Sequence, residues 1–94
     1  MKILINEKAK KLLEKRNSKV VTIEVKGCNS WGGMVFKPLA SVGKPYNAEN
    51  YTLECVDGVD VYVMKGIKAI NDTVEVSTTS FLFMENLVVE GLVV

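Results

Sequence analysis

Between Tyr51 and Met64 two alternating apolar runs flank the dipeptide Asp57-Gly58, and nothing else in the chain narrows the fold as much. Asp-Gly tolerates positive φ at both central positions, so the pattern predicts a two-residue type I′ hairpin joining strands Tyr51 to Val56 and Val59 to Met64. Register follows by counting outward from the turn. Val56 opposes Val59, Cys55 opposes Asp60, Leu53 opposes Tyr62 and Tyr51 opposes Met64. Tyr51, Leu53, Cys55, Tyr62 and Met64 then share one face. Their apolar character predicts that this face is core and that Cys55 is a buried structural residue.

The segment before the hairpin changes period. Asn6 is a suitable N-cap, Glu7 sits at the positive end of a helix dipole, and Ala9, Leu12 and Leu13 form an apolar stripe that ends near Arg16 and Asn17. Lys8, Lys10, Lys11 and Lys15 lie outside that stripe and are expected to solvate the helix. From Lys19 the spacing becomes alternating, with Val21, Ile23 and Val25 on one side and Val20, Thr22, Glu24 and Lys26 on the other. Met34 to Leu39 resumes extended chain, where Pro38 removes a ladder donor and predicts an edge position or a strand end. Gly43 to Asn50 reads as a loop, Lys65 to Ile70 as a short turn of helix, Asn71-Asp72 as a second turn and Thr73 to Thr79 as a strand with Val74 and Val76 inward. Phe81, Phe83 and Leu87 to Val94 supply further β-prone chain. One helix followed by sequential strands predicts an α+β, β-rich domain spanning residues 1–94.

Composition excludes several classes of function. At 94 residues, with 48% hydrophobic side chains, the chain has room for one small core and not for a two-domain enzyme. It has no His, which removes Ser-His-Asp triads, Cys-His dyads and His-containing zinc sites. Twelve basic and eleven acidic residues nearly cancel, so neither nucleic acid nor an anionic membrane is expected as a partner. Two cysteines are too few for a disulfide scaffold, and no apolar run reaches the roughly 20 residues that cross a bilayer. A cytoplasmic location with both thiols reduced is expected.

Gly27, Cys28, Asn29, Ser30 and Trp31, followed by Gly32 and Gly33, combine a thiol, small polar groups and an indole directly after a strand. As a glycine-rich ligand loop this segment would hold Cys28 partly exposed beside Lys26 and backbone N–H groups. As a bulged hairpin connection it would bury the sulfur. Trp31 is expected as a core or interface anchor. A phosphate loop is excluded, because the glycines lead into a strand and no Gly-Lys-Ser/Thr follows. Two cysteines without histidine cannot close a four-ligand S/N metal site in one chain, whereas a symmetric dimer doubles the supply. Self-association is expected, because ten of the fourteen residues from Phe81 to Val94 are Phe, Leu, Met or Val.

The order of these features resembles the HesB-like family, which includes the A-type carriers of iron-sulfur cluster assembly. It runs from Ile5-Asn6-Glu7-Lys8-Ala9 through a Val-rich strand and Gly27-Cys28 to Val56-Asp57-Gly58-Val59-Asp60-Val61-Tyr62-Val63. The resemblance spans almost the whole chain. It implies a β-rich fold with the helix packed on antiparallel or mixed strands, and frequent homo-oligomers. The carriers use three cysteines, one in a Ser-Gly-Cys-Ser-Gly-like turn and two in a Cys-Gly-Cys tail. Cys28 corresponds to the first, and Glu90 to Val94 contains no cysteine. The short HesB-like proteins with adjacent Cys-Cys or Cys-selenocysteine are a closer likeness, although here Asn29 follows Cys28.

What the resemblance implies is a protein of iron-sulfur cluster or metal handling, more a non-enzyme than an enzyme. Cys28 would be its metal ligand, Gly27 to Trp31 its binding segment, iron or a cluster at a subunit interface its cargo, and assembly or client proteins its partners. A thiol-redox protein using Cys28 and an interaction module without metal binding are the alternatives.

Overall fold

The structure is a computed structural model that describes residues 1–82 and 84–93, with Ser30 and Phe81 described by their backbone only. The elements, in chain order, are β1 (Lys2–Ile5), α1 (Glu7–Lys15), β2 (Val20–Ser30), β3 (Gly33–Val42), β4 (Tyr51–Val56), β5 (Val59–Met64), β6 (Thr73–Phe81) and β7 (Met84–Glu90). They form two mixed sheets, β3-β2-β5-β4 and β1-β6-β7. β2 runs parallel to β5 and β1 parallel to β6, while the remaining pairs are antiparallel. This is an α+β, β-rich fold.

α1 forms where its signals predict. The Asn6 side chain accepts from the Ala9 N–H at 2.8 Å, and Asn17 leaves the helix at φ 51 while the Ser18 N–H donates to the Leu13 carbonyl. Ala9, Leu12 and Leu13 are buried in one apolar cluster with Val21, Ile23, Val61, Val74, Val76 and Val89. Two of the four helix lysines do more than solvate. Lys10 pairs with Asp57 of the β4–β5 turn at 3.1 Å and Lys15 with Glu85 of β7 at 3.4 Å. The carboxylate of Asp57, hydrogen-bonded to the Lys10 ammonium, pushes the Lys10 pKa up.

The β4–β5 hairpin has the expected register, and Asp57 and Gly58 both take positive φ as a type I′ turn requires. Its core face is the opposite of the expected one. Val59, Val61 and Val63 are buried, whereas Leu53 is half exposed and Cys55 is exposed. Both faces of the hairpin carry apolar side chains. The β-branched set of β5 wins because β5 lies beside β2, so Val61 packs with Val21 and Ile23 on one inner face.

Other expectations hold or need correction in detail. Pro38 takes the edge position, one of its two expected places: it lies within β3, an edge strand, and does not end it. Lys65 to Ile70 is not a helical turn: the chain turns at Gly66, Ala69 bridges Leu92, and a single 3-10 turn covers Ile70–Asp72. Lys2–Ile5 is a strand that the sequence did not announce. Leu87, Val89 and Leu92 enter the core, and among the described side chains of the C-terminal run Leu82, Met84 and Val93 are the exposed large apolar ones. Phe83 and Val94 lie outside the described residues.

Candidate functional site

β2 and β3 continue past the rest of their sheet as a two-stranded ribbon. β5 accompanies β2 only from Val20 to Ile23, yet the β2–β3 ladder runs on to Ser30 opposite Gly33. Gly27, Cys28, Asn29 and Ser30 are therefore strand residues, and the turn is reduced to Trp31 and Gly32. Gly33 takes φ +115, which suits glycine at the return into β3. Trp31 is fully exposed at the tip and is not a core anchor. A third glycine explains why the strand does not break earlier: a Cβ on Gly27 would lie 3.1 Å from the Met34 sulfur and 3.3 Å from Phe36 Cε1, so its bare backbone lets both side chains lie across β2.

Strand alternation sorts the ribbon into two faces. Val25, Gly27 and Asn29, opposite Pro38, Phe36 and Met34, continue the core side. Glu24, Lys26 and Cys28 occupy the outer side at about 7 Å per step, opposite Leu39, Lys37 and Val35. Cys28 is exposed there. Lys26 and Lys37 face each other directly and border it, a like-charge cross-strand pair with no ion pair among the described residues.

Below Cys28 the same face opens into a cleft of about 540 Å³ that sequence reasoning missed. Glu24, Lys26, Tyr51, Met64 and Lys65 line it together with Asn47 and Asn50 of the β3–β4 connection. The Tyr51 hydroxyl donates to Glu24 Oε2 at 2.7 Å. Burial, reinforced by the Glu24 carboxylate, pushes the Tyr51 pKa up to about 12. The expected pairing of Tyr51 with Met64 held the signal for this cleft, since it set both residues on one face; assigning that face to the core concealed it.

Within one chain Cys55 is no second ligand for Cys28. It pairs with Asp60, which pairs with Val20, and Cys28 lies eight residues farther along β2, roughly 25 Å away. A disulfide needs Cα atoms within about 7 Å. Among the described residues no group of three or more Cys, Asp or Glu is arranged to hold a metal ion, and Lys26 and Lys37 oppose a bare cation beside the sulfur. A closed metal site within one chain does not fit these residues.

Fold and site together define a small β-rich α+β protein that displays one thiol on a projecting hairpin. The chain belongs to the CC/Se motif containing family, whose family model matches residues 1–92. Comparison with curated proteins and with solved structures returns no match. Among the described residues no helix is long and apolar enough to cross a membrane.

Proposed function

We propose that this protein is a HesB-like member of its family that serves iron-sulfur cluster or metal handling, offering the Cys28 sulfur to a cargo completed by a second chain, a copy of itself. The observation that carries this reading is the exposure of Cys28 on the outer face of the ribbon, within reach of another macromolecule. The family's description names a CC/Se motif, and Cys28-Asn29 retains one thiol of such a pair. The flanking lysines favour one cargo over another. Two Cys28 thiolates fill only two of a cluster's four ligand positions; with small-molecule thiolates in the other two the cluster is an anion that Lys26 and Lys37 suit, whereas a free divalent ion is not.

Anaerobic reconstitution with iron, sulfide and a small thiol tests this. Wild type and Cys55→Ala should gain visible absorption in a species of twice the monomer mass, and Cys28→Ala should gain none. Equal uptake by Cys28→Ala overturns the reading.

The distance between the two cysteines favours a second reading, thiol-redox chemistry in trans, because no internal disulfide competes for Cys28. Attack of the Cys28 thiolate on oxidised glutathione would form a protein–glutathione disulfide and release one glutathione thiolate. Mass spectrometry should then show Cys28, bordered by Lys26 and Lys37, taking up glutathione ahead of Cys55, which faces Asp60.

A further inference from the structure

β2 outruns the strand beside it. β5 ends at Met64 and the chain turns away at Gly66, so from Glu24 onward the β5 side of β2 has no partner strand among the described residues. Ladder alternation tells which groups face that gap. The Gly43 N–H donates to the Val20 carbonyl at 2.9 Å, so Val20 and every second residue after it direct their backbone groups toward β3. The Lys19 carbonyl accepts from the Asp60 N–H at 2.8 Å, so the odd-numbered residues face the β5 side. Val25, Gly27 and Asn29 therefore present N–H and C=O groups to open space. Pro38 agrees independently: it sits opposite Val25, at a pair that exchanges no hydrogen bonds across β2 and β3, so its missing donor costs the ladder nothing.

Two clefts flank the gap and share Val25, Met64 and Lys65. The outer is the cleft of about 540 Å³ under Lys26, and the inner, of about 340 Å³, is lined by Phe36, Ile67 and Val93. They are two sides of one notch with the end of β5 as its floor. We infer that this notch receives an extended segment of a partner protein, added as a strand beside β2, with acidic residues at alternate positions and apolar residues between them. The chemistry of the two sides sets that pattern. Outward, Lys26 and Lys65 have no ion pair among the described residues, and Glu24 is already engaged by Tyr51. Inward, Phe36 is half exposed beside Val25. A strand delivers successive side chains to opposite faces, so one segment satisfies both, while its backbone pairs with Val25, Gly27 and Asn29. No metal at Cys28 is required.

A capped seven-residue peptide of alternating glutamate and valine, titrated into the isotope-labelled full chain, tests this. The amides of Val25, Gly27 and Asn29 should gain at least tenfold in exchange protection. Lys26→Glu, with unchanged circular dichroism, should weaken the glutamate peptide about tenfold and favour one of alternating lysine and valine. Asn29→Pro, which removes a notch-facing donor and leaves the β2–β3 ladder intact, should weaken both peptides. Three results would overturn the inference: no protection at millimolar peptide, equal affinity of wild type for both peptides, or protection that rises with protein concentration alone, which would assign the edge to a second copy.

Discussion

Gly91 shows how far one missing atom determines this fold. It takes φ +96, and a Cβ there would lie 2.6 Å from the Thr73 carbonyl oxygen, a backbone atom that cannot swing aside. Gly91→Ala should cost about 3 kcal/mol, from an unfavourable φ added to a clash where the Gly91 carbonyl accepts from the Ile70 N–H at 2.7 Å. Urea denaturation checks the figure, and a cost under about 1 kcal/mol would mean that the β6 start yields. Tyr51 supplies a pH signature. Its hydroxyl is harder to ionise folded than unfolded, so its contribution to stability is complete below pH 10.0 and is lost as the pH climbs toward about 12. The tyrosinate absorbance that Tyr51→Phe removes should appear near the upper value, and the alkaline loss of stability should be shallower in that variant. Cys55 and Cys28 are both exposed, so both should be alkylated rapidly in the native state. Slow native labelling of Cys55 would restore the buried role that its apolar hairpin neighbours suggest.

Elements were legible to the degree that their signals are local. Asn6, Glu7 and the Ala9, Leu12, Leu13 stripe define α1 at both ends, because capping and helical period act within a few residues. Asn6→Ala should accordingly destabilise the protein by about 1 kcal/mol, measurable as a lower thermal midpoint. Asp57-Gly58 likewise determines the register of β4 and β5. It cannot determine which face is buried, since that depends on β2 arriving beside β5 from 40 residues earlier in the chain. The same limit hid the candidate site. Gly27, Gly32 and Gly33 read as a loop because each glycine weakens a strand, but Met34 and Phe36 cover Gly27 from across the ladder and carry β2 on to Ser30. The sequence leaves Cys28 open between an exposed thiol and a buried one, and the ribbon leaves it exposed; the cleft beneath it needed the β3–β4 connection, which no spacing rule brings to β2.

Across the whole molecule, stability is concentrated where the two sheets share their core. Val21, Ile23, Val61, Val74 and Val76 are fully buried, whereas in the ribbon Val35, Phe36 and Met34 are exposed on one strand and Cys28 on the other. Burial of apolar area is the main term that opposes chain entropy, so the ribbon is held chiefly by its own ladder while the sheets are held by a common core. Native-state hydrogen exchange should therefore divide the β2–β3 ladder. The Thr22 amide, beside the core, should open only with global unfolding, and the Cys28 and Val35 amides should open in a separate, lower-energy event. Lowering global stability with Asn6→Ala should speed the first class and leave the second unchanged, because the helix cap supports the core and not the ribbon. If both classes shift together, the ribbon belongs to the global folding unit. If they separate, the thiol and the open edge of β2 are carried on a hairpin that can reshape around a partner at little cost to the rest of the fold.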